Sequence, residues 1–92
     1  MDDTTPSQTE QDLAGSLRMA ALLHQQVQDR LNTAARHVQA RVLDLERTAA
    51  SHMAEAGRLL AQQRPVTAAE HLRLGAQDED TARELRRVLD LL

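Results

Sequence analysis

The sequence predicts an all-α protein: one long amphipathic helix followed by a short helix pair, self-associating into a helical bundle or a coiled-coil-like assembly. Three observations predict this fold class. Apolar residues recur at helical spacing from Leu13 to Leu60, with no proline among them. Good helix formers fill the same segment. Alternating β-branched residues never run for four positions, so strands are not indicated.

The N-terminal tail, residues 1–7, is acidic and polar and is expected to be disordered. The segment Ser7-Gln8-Thr9-Glu10 has the capping-box pattern, in which the serine hydroxyl and the glutamate carboxylate satisfy backbone amides of the first turn. The long helix is therefore predicted to begin near Gln8.

The long helix is predicted over residues 8–64, with a possible break near residues 32–33. Asn32 and Thr33 are weak helix formers, so a turn there would divide the segment into two helices. Continuity is favoured because the apolar stripe keeps its phase across this point. Pro65 disfavours helical geometry at Arg64 and predicts where the helix ends.

The apolar stripe of this helix needs an equally long surface to lie against, so the chain must fold back on itself or pair with another copy. We expect the stripe to be mainly a self-association seam. The residues assigned to that seam are Leu17, Val27, Leu31, Val38, Val42, Leu45, Ala49 and Leu59.

Residues 66–92 are predicted to form a C-terminal helix-turn-helix. The segment Thr67-Ala68-Ala69-Glu70 is a second capping box, and a short helix from it would place Ala69, Leu72 and Ala76 on its apolar side and end near Gly75. Three acids, residues 78–80, would then open the last helix, since a helix N-terminus favours negative charge.

The segment from Gly57 to Ala76 resembles a degenerate tetratricopeptide repeat. Its Gly, large apolar, apolar, Ala and Ala positions are matched by Gly57, Leu60, Val66, Ala69 and Ala76. The resemblance implies a helix-turn-helix here, with the last helix following as a cap. Because a repeat stack needs about three repeats and the chain shows one, no family is assigned.

Composition points to a small protein stabilised by association. The 92 residues include no Phe, Tyr, Trp or Cys, so the core lacks the largest buried side chains, and oligomerisation is a common remedy in small scaffolds. All 11 basic residues are arginine, which together with abundant alanine is typical of a GC-rich bacterial genome. The polar, acidic start is unlike a signal peptide, and a cytoplasmic protein is expected.

No residue pattern indicates catalysis, and we expect a protein that is not an enzyme. Cysteine is absent, the serines lie at a cap or inside helices, and the three glycines are too scattered for a phosphate-binding loop. His24 and His52 project onto the stripe, but no spacing assembles three metal ligands. No metal or other cofactor is expected; if buried, the two histidines would make the interface sensitive to pH.

The function expected from these features is that of a non-enzymatic interaction or oligomerisation protein, acting as a scaffold, adaptor or assembly module. Its expected partner is a second copy, as a dimer or tetramer, or another helical protein. The alternative is a small dimeric nucleic-acid-associated regulator that contacts phosphates through Arg83, Arg86 and Arg87. The net charge of −3 gives no overall attraction to nucleic acid or to a membrane surface.

Overall fold

The computed structural model describes residues 7–92, which form two helices and no strand. Helix α1 spans Gln8–Ala61 and helix α2 spans Pro65–Asp90. The predicted all-α class is confirmed. The predicted disordered tail lies outside the described residues except for Ser7.

Ser7 is the N-cap of α1, and the first capping box forms as predicted. The Ser7 hydroxyl accepts a hydrogen bond from the backbone N–H of Glu10 at 3.2 Å, and the Glu10 carboxylate accepts one from the N–H of Ser7 at 3.4 Å. Two amides that the helix cannot satisfy are thereby paired.

The sequence allowed a break at residues 32–33, but both residues are helical and α1 continues through them. The Thr33 hydroxyl donates to the backbone carbonyl of Asp29 at 2.9 Å, which gives this side chain a partner on its own helix. The described residues nevertheless divide into two units, residues 7–33 and residues 34–92. Each unit has its own pattern of burial.

Helix α1 ends in a turn of the Schellman type, in which Gln63 takes the left-handed position with φ of 61°. The N–H of Arg64 donates to the carbonyl of Leu59 at 2.9 Å, and the N–H of Gln63 to that of Leu60 at 3.0 Å. These bonds satisfy carbonyls at the helix end and reverse the chain within residues 62–64.

The predicted C-terminal helix pair is wrong, because α2 is one continuous helix through Gly75. The second capping box is also absent from the helix start: Arg64 is the N-cap and no side chain caps it. Pro65 occupies the first helical position, where its fixed φ and missing N–H suit the geometry. The helix therefore begins before Thr67 and reaches past the expected stop.

Gly75 is buried against α1 and has no positive φ, so it serves close approach of the helices rather than termination. A Cβ at this position would lie 3.3 Å from the backbone oxygen of Ala49, 3.3 Å from Cβ of His52 and 3.1 Å from Cε of Met53. Any larger side chain would crowd the facing helix.

The core of the unit formed by residues 34–92 is the seam between the second half of α1 and α2, which run antiparallel. The buried residues of α2 follow a seven-residue repeat of small side chains, which lets the two helices pack closely. The buried residues are Val42, Leu45, Ala49, Ala56 and Leu59 on α1 and Ala68, Gly75 and Ala82 on α2. The apolar face predicted for the first short helix does not pack, because Ala69, Leu72 and Ala76 are exposed, so this prediction is wrong. The face of α2 that packs against α1 instead begins at Ala68 and repeats every seven residues.

Candidate functional site

The most distinctive surface of the first unit is an apolar face of α1 that its own residues do not cover. Among residues 8–33 none is buried, and only Gly15 is half-buried. Leu13, Leu17 and Val27 are 60%, 71% and 53% exposed, and Leu31 is 39% exposed. Their spacing of three and four residues places them on one side of the helix. A contiguous apolar patch of this kind is typical of an interaction site.

The structure divides the residues that were assigned to self-association into two groups. Leu17, Val27 and Leu31 are exposed in the first unit. The rest belong to the second unit and pack within the chain. Val42, Leu45, Ala49 and Leu59 are buried between α1 and α2, and Val38 packs against the cluster of Val42, Leu45 and Ala82. The second half of the stripe therefore has α2 as its partner.

A cluster of polar side chains interrupts the seam between α1 and α2. The Nδ1 atoms of His52 and His71 lie 3.0 Å apart, and their ring centroids are 5.2 Å apart. His52 Nε2 lies 4.0 Å from a carboxylate oxygen of Asp78, and both side chains are about one quarter exposed. One imidazole must donate and the other accept, so the contact requires at least one neutral ring.

His52 was expected on an interface from its place on the stripe, but its partners on α2, His71 and Asp78, were not predicted. His71 and Asp78 are seven residues apart, and the small residues Ala68, Gly75 and Ala82 follow the same period. This shared period is the sequence signal that could have placed His71 and Asp78 beside the packed face of α2, since residues seven apart lie on the same side of a helix. His24, the other singled-out histidine, is exposed.

The described residues, 7–92, contain no group of three or more His, Asp or Glu side chains that could hold a metal ion. The histidine pair is a contact between α1 and α2. A polar pair in an otherwise apolar seam favours one register of the two helices, because sliding by a turn would leave polar atoms unpaired.

The three arginines of the alternative function all have acidic partners within the chain. Arg83 contacts Asp80 at 3.1 Å and Arg87 contacts Glu84 at 3.2 Å, each within α2. Arg86 pairs with Glu46 of α1. Their guanidinium groups are exposed, but a phosphate would have to compete with three carboxylates for them.

Two further arginine–glutamate pairs change the acidity of surface carboxyls. The hydrogen bond from Arg58 lowers the pKa of Glu55 below its usual value. The hydrogen bond that Arg73 Nε donates to Glu70 Oε2 at 3.2 Å likewise lowers the pKa of Glu70. These exposed pairs lie three residues apart on their helices and support helix structure weakly.

No protein-family model, curated protein or solved structure matches this chain. Among the helices described, none has the length and apolarity needed to cross a membrane.

Proposed function

We propose that this protein is a non-enzymatic helical interaction module that self-associates through the apolar face of α1 residues 8–33. The observation that supports this proposal most directly is the exposure of four apolar residues along one side of the helix: Leu13, Leu17, Val27 and Leu31. Covering these side chains lowers the free energy by about 25 cal/mol for each Å² of apolar area removed from water.

The difference in burial between the two parts of α1 supports this proposal. In the second unit, α2 already covers the apolar stripe, and small residues bring the helices close. In the first unit the stripe continues with leucine and valine, yet none of those side chains is buried. The second unit would then be a self-contained hairpin, and the first unit would supply the surface for assembly.

The test is the solution mass of the full chain, measured by light scattering on a sizing column, for matched aspartate variants. Leu17→Asp places a charge on the proposed face. Leu22→Asp places the same charge on the opposite side of the helix, at a leucine that is 56% exposed. The wild type and Leu22→Asp are expected to be oligomeric and Leu17→Asp monomeric, since an unpaired charge in an apolar interface is strongly unfavourable.

Circular dichroism of both variants serves as the folding control, because the hairpin of residues 34–92 contains neither substitution. A monomeric wild type at micromolar concentration contradicts the proposal. So does dissociation by Leu22→Asp together with an oligomeric Leu17→Asp, which would assign assembly to the other side of α1.

A further inference from the structure

We infer that the second copy binds the face of residues 8–33 in the antiparallel orientation, with Leu13 of one copy against Leu31 of the other. This inference rests on the proposed function, since it specifies how two copies meet on that face. It follows from the order of large, small and charged residues along the helix.

The face consists of two interleaved series with a seven-residue period. One series is Leu13, Ala20 and Val27, and the other is Leu17, His24 and Leu31. Such a pattern forms layers when two helices pack side by side.

Antiparallel pairing about a centre at residue 22 matches every layer of the two series. Leu13 meets Leu31, Leu17 meets Val27, and Ala20 meets His24, because the residue numbers in each pair have the same sum. Small alanine then lies opposite the larger imidazole, which evens out the width of the layers. Parallel pairing would instead set Ala20 against Ala20 and His24 against His24.

The charges beside the face favour the same orientation. Glu10 and Asp12 lie before its first leucine, and Arg30 lies beside its last. The other charges of the segment, Arg18 and Asp29, project away from the face at about 100° per residue. Antiparallel pairing brings the acidic end of each copy to the Arg30 end of the other, whereas parallel pairing brings acid to acid. Opposed helix dipoles add to this preference.

The experiment uses disulfide formation in the full chain, which has no cysteine of its own. Leu13→Cys and Leu31→Cys are prepared separately, equilibrated in a glutathione redox buffer alone and as an equal mixture, and analysed by mass spectrometry without reduction. The reduced variants are first shown by light scattering to retain the oligomeric state of the wild type.

The expected result is a disulfide between positions 13 and 31 that dominates the mixture, exceeding the half expected from random pairing. Each variant alone should form little, because in the antiparallel dimer its two thiols lie about 27 Å apart along the axis, from 18 residues at 1.5 Å each. Leu17→Cys mixed with Leu31→Cys is one turn out of register and should crosslink less.

Four other outcomes overturn the inference. Efficient crosslinking of each variant with itself shows parallel pairing and overturns the orientation while self-association stands. Preferential crosslinking of positions 17 and 31, or no crosslinking of an oligomeric protein, overturns the register. A monomeric wild type overturns the proposed function together with the inference.

Discussion

His52 and His71 face each other through their Nδ1 atoms, 3.0 Å apart, across a seam whose fully buried residues are alanine, glycine, valine and leucine. They are contributed by different helices and are separated by 19 residues in sequence. A side-chain hydrogen bond in such a position ties the register of α2 to that of α1.

A double-mutant cycle on His52→Ala and His71→Ala should reveal this coupling. We expect each single variant to be destabilised and the pair to show a coupling free energy of about 1 kcal/mol, the usual net value of a hydrogen bond. Urea unfolding followed by circular dichroism measures it. A cycle with the exposed His37→Ala in place of His71→Ala is the control, and additive effects in both cycles would contradict the coupling.

The glycines of α1 and α2 should respond oppositely to alanine. Gly57→Ala is expected to stabilise the protein by about 1 kcal/mol, because alanine is the better helix former and nothing lies within 4 Å of the added Cβ. Gly75→Ala should instead destabilise it by about 1 kcal/mol, since crowding against the Ala49 backbone outweighs the same gain. Thermal unfolding of the two variants tests both expectations. An equal rise in Tm would mean that the helices move apart at Gly75 without a cost in stability.

The turn between the helices offers a stabilising substitution. Gln63 has φ of 61°, a conformation that costs a residue with a Cβ about 1 kcal/mol or more and that glycine adopts freely. Gln63→Gly should therefore raise the free energy of unfolding by about 1 kcal/mol. Gln62→Gly, next to it without a positive φ, should lower that free energy. Chemical denaturation of both variants measures the difference, and a loss at both positions would argue against strain at Gln63.

The buried stripe of α1 should tolerate no charge. Val42 is 3% exposed and packs with Leu45 and Ala82, so Val42→Asp leaves an unpaired carboxylate in the seam and should cost several kcal/mol. Arg36→Asp, at an exposed position, should change stability little. Loss of helical circular dichroism and of cooperative unfolding is expected for Val42→Asp alone. A native-like unfolding curve for that variant would contradict the placement of α2 on this stripe.

Glu70 should titrate at a lower pH than an ordinary glutamate, because the hydrogen bond from Arg73 lowers its pKa. A carboxyl whose pKa is lower in the folded state stabilises the fold above its unfolded pKa, and the contribution is lost as pH falls through the folded value. NMR titration of the Glu70 side chain should show the pKa rising in Arg73→Gln. The pKa of Glu55, which depends first on Arg58, should stay in place; an unchanged Glu70 would contradict the contact.

The sequence alone determined that the segment of α1 is helical and where that helix begins. Its start follows from local chemistry, since the Ser7 and Glu10 capping box involves residues three apart. The all-α class follows from helical periodicity and helix propensity, which also act over short distances. The end near Pro65 was likewise visible, to within a turn.

Only the tertiary structure decided what covers the apolar stripe and what Gly75 does. Read locally, Gly75 is a helix stop; packed against Ala49, it is the point where two helices touch. The pairing of His52 with His71 depends on the register of that contact, which no local rule supplies. The sequence shows that an apolar face exists, but the partner of each part of it depends on which surfaces the folded chain brings together, because apolar burial is not directional.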